Sequence, residues 1–308
     1  MAQEALPRNA FPSAREDAGT AVHVESTPQT RSPAYRLAYA DTEFLLRDEL
    51  RAVRLQLELM KPDLIQQELG VVSTVVIFGS TRIPDPEEAR SRLEAARQAA
   101  RLRPDDAGLA REAAIAERLA AKSRYYEEAR RLGEIVTRVA QGNGHRELVV
   151  VTGGGPGIME AANRGAGDVG GKSIGLSIVL PHEREPNPYV TPELCFQFHY
   201  FAVRKMHFLL RAKALVAFPG GYGTLDELFE TLTLIQTGKV KPVPVLLFGR
   251  EYWERIIRFD ELVAEGTIGA ADLDLFQYVE TAEEAWAAIR DFYGFEAGPS
   301  GEISNRSD

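Results

Sequence analysis

Gly153-Gly154-Gly155-Pro156-Gly157 and Pro219-Gly220-Gly221-Tyr222-Gly223-Thr224 are the two stretches on which the reading of this chain turns. Each follows a short apolar run and precedes a segment with helical spacing. Both therefore fall at the carboxyl ends of strands, where helices begin and where open α/β sheets bind their ligands. Glycine in such a turn lets backbone N–H groups approach a phosphate closely, and the following helix adds the positive end of its dipole. A third strand end carries Gly79-Ser80-Thr81-Arg82. One loop of this kind is weak evidence. Two on neighbouring strands predict a single phosphate-binding nucleotide site on a Rossmann-like α/β domain.

Outward from these turns, the pattern alternates. Residues 71–78 form a β-branched run of the kind found in buried parallel strands, and 148–151, 174–180, 194–199, 214–218, 243–248 and 276–279 are the next strand candidates. Helices fit between them at 158–166, 201–212, 225–236, 252–264 and 282–292. Such alternation implies βαβ crossovers and a parallel sheet with helices on both faces. One region breaks the rhythm: residues from about 85 to 145, rich in Ala, Arg, Glu and Leu, read as two helices, 86–102 and 109–140, forming an inserted helical hairpin. Sustained a/d heptads for a coiled coil are absent there. Upstream, Leu45, Leu46, Leu50, Val53 and Leu57 recur at helical spacing, with Asp41 or Thr42 as cap and Pro62 near the stop. Residues 1–32 read as a disordered tail, 33–295 as a single nucleotide-binding domain and 296–308 as a flexible tail.

The 308 residues are 44% hydrophobic and 26% charged, ordinary values for a globular protein with a packed core. A net charge of −9 argues against general nucleic-acid binding, which needs an excess of Lys and Arg. No apolar run approaches membrane-spanning length and the N-terminus lacks a signal peptide's apolar stretch, so a cytoplasmic protein is expected. The single cysteine, Cys195, reads as a buried structural thiol in a strand. No Cys/His spacing suits a metal, and none is expected.

Two nucleotide motifs fail on inspection. The Gly153 turn is not G-x-G-x-x-G, because position 158 is Ile. Gly170-Gly171-Lys172-Ser173 imitates a P-loop but leads into a strand. In the second turn, Thr224-Leu225-Asp226-Glu227 reads equally well as a capping box, with Thr224 as N-cap and Glu227 folding back, or as a phosphate-binding hydroxyl beside a carboxylate facing the sugar. Upstream, 201–213 carries Arg204, Lys205, Arg211 and Lys213 with no acidic residue. Arg204 and Arg211 lie seven apart on one helical face, which is either a solvated surface or a grip on an anionic ligand.

Gly153-Gly154-Gly155-Pro156-Gly157-Ile158-Met159-Glu160, Arg204-Lys205-Met206 and Pro219-Gly220-Gly221-Tyr222-Gly223-Thr224-Leu225-Asp226-Glu227 together resemble the signature of the LONELY GUY (LOG) family. Its members are Rossmann-like cytokinin riboside 5′-monophosphate phosphoribohydrolases, often mislabelled lysine decarboxylases. The resemblance covers roughly residues 71–248. It implies that Arg204 and Glu227 are the catalytic pair, and that Gly79, Ser80, Gly153, Gly154, Gly155, Gly157, Met159, Glu160, Lys205, Pro219, Gly220, Gly221, Tyr222, Gly223 and Thr224 bind the nucleotide and its 5′-phosphate. It also implies hydrolysis of the N-glycosidic bond without metal or cofactor, and assembly as a homodimer or higher oligomer. Larger relatives act on ordinary nucleoside monophosphates, so AMP is a second expected substrate. The rival reading is a non-catalytic nucleotide sensor or carrier. A pyridoxal-dependent decarboxylase would need a Schiff-base lysine, and beyond Lys205 nothing suggests one.

Overall fold

The β-branched run after Gly70 is the central strand β1 (Val71–Phe78), buried along almost its whole length because helices cover both faces. It is followed by β2 (Arg146–Thr152), β3 (Ser173–Ile178), β4 (Cys195–Phe198), β5 (Ala212–Ala217), β6 (Val245–Phe248) and β7 (Gln277–Val279). All pair in parallel, in the order β4-β3-β2-β1-β5-β6-β7. The chain thus winds outward from β1 through β4, then returns to β1's other side at β5. The crevice at this reversal is where such sheets take ligands. The computed structural model describes residues 11–141, 146–181, 185–297 and 303–304. Parts of both terminal tails, and residues 142–145 at the end of the expected insertion, lie outside the described residues.

The chain divides into two compact units, one up to Glu58 and one from Leu59 onward. The first contains α1 (Ala14–Ala21), within the stretch read as a disordered tail, and α2 (Thr42–Leu45), a single turn at the start of the expected leading helix, which resumes only at Arg51. A capping box, Ser13 with Glu16, starts α1, and Asp41 caps α2. The helix α3 (Arg51–Glu68) runs through Pro62 instead of stopping there. Proline removes one backbone donor from a helix interior. Here Pro62 is buried, its carbonyl accepts from Gln66 Nε2 (3.1 Å), and Arg211 holds Asp63 one residue on (2.6 Å).

Between β1 and β2 stand three helices rather than two: α4 (Pro86–Leu102), α5 (Ala107–Lys122) and α6 (Arg124–Ala140). The break at Ser123 separates two jobs. Along α6, Tyr125, Tyr126, Ala129, Leu132, Gly133, Val136, Thr137 and Ala140 are buried at helical spacing, so α6 is the crossover helix. Helix α5 buries nothing and pairs with α4 as an arm. One straight helix cannot follow both courses. The remaining crossovers are α7 (Ile158–Asp168), α8 (Phe201–Leu210), α9 (Tyr222–Gln236), α10 (Arg250–Ile256), α11 (Phe259–Ala264) and α12 (Ala282–Tyr293). The expected helix 252–264 is broken at Ile257, whose backbone is extended. Trp253 and Phe259 are both buried; six positions apart, they would point about 120° away from each other around a continuous helix.

Cys195 is exposed, not buried. It lies on the edge strand β4, where Phe196 and Phe198 take the inward positions and Cys195 and Gln197 the outward ones.

Candidate active site

Three adjacent strands, β2, β1 and β5, end in the three glycine turns. The turns are tied to one another through the backbone: Ser80 N–H donates to Pro219 O (3.0 Å) and Ile158 N–H to Ser80 O (3.2 Å). Gly79 and Ser80 therefore link the other two loops. Gly157, the N-cap of α7, has φ +72°, and a Cβ there would stand 2.5 Å from Ser80 O. Only glycine permits both the conformation and the approach.

A cavity of about 630 Å³ opens at these strand ends. Residues 153–157 and Met159 and Glu160 of α7 line one side; Gly223 of α9 and Arg204 of α8 also reach it. Arg204 lies against the first turn, its Nη2 only 2.8 Å from where a Gly153 Cβ would be. Its Nε donates to Leu176 O (2.7 Å), and its guanidinium sits 5.1 Å from the Phe208 ring centre. Burial lowers the pKa of Arg204, opposed by the nearby Glu227 and Asp226 carboxylates. The result is a desolvated cation whose Nη groups have no hydrogen-bond partner among the described residues and can take an anion.

Glu227 is 6% exposed. It does not line the cavity, but it lies one helical turn below Gly223, which does, on the same face of α9. Burial pushes its pKa up to about 7, with Glu230 and Asp226 adding to the rise and Lys205 and Arg204 opposing it. The capping-box reading is overturned: α9 begins at Tyr222 with Gly221 as N-cap, so Thr224 is already inside the helix and no side chain caps it. Thr224 is buried against Gly220, whose absent Cβ leaves room for its Oγ1. Glu227 is thus a buried carboxylate with no local structural duty at its helix end, the condition under which burying it points to chemistry.

Several expected ligands sit elsewhere. Lys205 pairs with Asp226 (2.9 Å) and Glu230 (2.8 Å) on the outer side of α9. Its pKa rises above the ordinary value: desolvation pulls it down, but the hydrogen bonds it donates to Glu230 and Asp226 outweigh that. Tyr222 is 92% exposed and faces an open groove beside Lys205. Pro219, Gly220, Gly221 and Thr224 shape the second turn without lining the cavity wall. Arg211 does not share Arg204's surroundings. It caps the end of α8 and binds Asp63 and the Val71 carbonyl, a structural duty.

The structure adds residues that spacing does not reveal. Thr152, Asn163 and Asn187 form a buried network beneath the Gly153 turn: Thr152 Oγ1 and Asn187 Nδ2 both donate to Asn163 Oδ1 (2.8 and 3.0 Å). Gly154 N–H donates to Thr152 Oγ1 (2.9 Å), and Asn187 donates to two carbonyls of the turn, from Nδ2 to Gly155 O (3.0 Å) and from its backbone N–H to Gly154 O (2.8 Å). Asn163 is a polar residue on the inward face of α7, which is a readable signal; Asn187 gives none. Tyr126 of α6 and Arg82, Glu88 and Arg92 on and before α4 complete the cavity, with Arg92 paired to Glu88.

Fold and cavity define a Rossmann-like protein with a nucleotide-sized site built on glycine turns, an arginine and a buried carboxylate. A family model described as "possible lysine decarboxylase" matches residues 159–289. The probable cytokinin riboside 5′-monophosphate phosphoribohydrolase LOG4 of Oryza sativa subsp. japonica is 34% identical over 143 residues, 45% of this chain and 61% of that protein. Cytokinin riboside 5′-monophosphate phosphoribohydrolase LOG3 of Arabidopsis thaliana is 30% identical over 176 residues, 56% of this chain and 77% of that protein. Among solved structures, the molybdenum cofactor carrier protein of Chlamydomonas reinhardtii is 18% identical, covering 72% of this chain and 99% of its own, with a TM-score of 0.39. The chain belongs to the LONELY GUY (LOG) family.

Proposed function

We propose that this protein hydrolyses the N-glycosidic bond of a nucleoside 5′-monophosphate, either a cytokinin riboside monophosphate or AMP, releasing the free base and ribose 5-phosphate. The observation that carries this reading is Glu227: a carboxylate buried below the cavity mouth of α9, within electrostatic reach of Arg204. A protein that only carried nucleotides would have no need to keep so costly a group there.

The reaction adds water to C1′ as the bond from C1′ to the base nitrogen breaks, and the bond's electrons leave with the base, which takes up a proton. Positive charge develops on the sugar. Ionised Glu227 stabilises it or takes the proton from the attacking water. Arg204 and the glycine-turn N–H groups hold the phosphate, fixing C1′ over the carboxylate. Because Glu227 titrates near pH 7, the rate rises as pH climbs through that value. A Schiff-base role for Lys205 is disfavoured by its two carboxylate partners, which hold it as an ammonium.

The test is release of adenine from AMP and of the prenylated base from its riboside monophosphate, followed chromatographically. Arg204→Ala reduces kcat/KM at least about 100-fold. Tight nucleotide binding without any base release, in the intact protein, leaves only the carrier reading. We further propose a cytoplasmic homodimer formed through the outer face of α9, where Tyr222 and Phe229 stand exposed. Among the described residues no helix is long and apolar enough to cross a membrane.

A further inference from the structure

The two helix N-termini at the cavity are not electrically equivalent. Helix α9 has no acidic residue in its first turn, whereas α7 carries Glu160 there, facing the same cavity. A carboxylate at that position already answers the α7 dipole and repels a phosphate, so the 5′-phosphate belongs at the α9 and Arg204 side. With the reacting carbon over Glu227, the base extends away from α9, toward the first turn of α7 and the α6 wall.

There Glu160 is held in place. Tyr126 Oη donates to Glu160 Oε1 (3.2 Å), and the Arg164 side chain hydrogen-bonds the Tyr126 oxygen. Burial, with smaller contributions from its neighbours, keeps the Tyr126 phenol protonated up to about pH 12. The relay fixes one carboxylate oxygen; the other has no hydrogen bond among the described residues. An ionised carboxylate only accepts. Facing the N6/N7 edge of the base, it matches the amino group of a 6-aminopurine and opposes a 6-oxopurine, which presents only acceptors, O6 and N7, there.

Resting on the hydrolase reading above, we propose that Glu160, positioned by Tyr126, is the residue that selects 6-aminopurine nucleotides, free or singly substituted at N6, over 6-oxopurine nucleotides. A site built around a half-buried acceptor held in place by Tyr126 rejects a ring lacking the matching donor more strongly than an apolar pocket does. Glutamine at this position both donates and accepts, so it accommodates either edge.

Calorimetric binding of AMP and IMP tests this independently of turnover. Wild type binds AMP at least about 10-fold tighter than IMP, and in Glu160→Gln the two affinities come within about threefold. Tyr126→Phe, which frees the carboxylate without removing it, narrows the preference partway. The inference is overturned if wild type shows no preference, if Glu160→Gln retains it, or if that variant instead alters the ratio of AMP to 2′-deoxy-AMP binding, which would assign Glu160 to the ribose. Failure of the hydrolase reading appears separately, as absent base release with the AMP preference intact.

Discussion

Glu227 combines a folding cost with a chemical use. Its carboxyl has a folded pKa near 7 against the ordinary value of 4.5, so the folded state binds its proton more tightly than the unfolded state does. Between those values the native protein carries more protons, and stability falls as pH rises. Ionised Glu227 therefore destabilises the protein fully above pH 7 and hardly at all below about pH 4.5. Glu227→Gln gains on the order of 3 kcal/mol over wild type at pH 8, and that gain shrinks toward pH 5. Urea denaturation at both pH values measures it, while base release from AMP is lost at either. Had Glu227 capped α9, the same substitution would lower stability with little dependence on pH. Equal stabilities at pH 8 would mean the carboxyl is not held in a desolvated site.

At the scale of elements, α6 and α7 meet through a reciprocal glycine contact. A Cβ on Gly165 would come 1.9 Å from Arg130 O, and one on Gly133 would come 2.3 Å from Ala162 O. Gly165→Ala must push the helices apart and costs about 1–3 kcal/mol by thermal or urea unfolding, with a lower affinity for AMP because Glu160 and Tyr126 separate. Helix α5 buries no residue, so its amides exchange with solvent far faster than those of α6 in hydrogen-exchange mass spectrometry. That the sheet is parallel was legible from alternating apolar runs and glycine turns, since both reflect local rules of buried sheets; the order of its strands was not. The boundary between α5 and α6 was not, because alanine fits an exposed arm and a crossover helix equally well. Arg204 and Glu227 could be named from their motif. The escape of Lys205 and Tyr222 from the cavity could not: the direction Tyr222 takes depends on where α9 begins, and Lys205 of α8 turns to the Asp226 and Glu230 carboxylates that only the fold brings beside it. Helix α9 starts at Tyr222, ahead of Thr224, and that offset also removed the expected cap.

At the scale of the whole molecule, the outer face of α9 combines exposed Tyr222 and Phe229 with the cluster of Lys205, Asp226 and Glu230. Phe229→Asp places a charge in the proposed dimer face and shifts the protein to monomer by light scattering after gel filtration. The same surface cluster reaches inward. Lys205 is the strongest of the influences holding down the Glu227 pKa, although it lies outside the cavity. Replacing Lys205 with Met therefore raises that pKa and moves the acidic edge of the pH–rate curve to higher pH, with KM for AMP little changed. The ammonium on the outside works as a rheostat for the acid on the inside, so the pH at which the reaction switches on is open to adjustment by single surface replacements that never touch substrate.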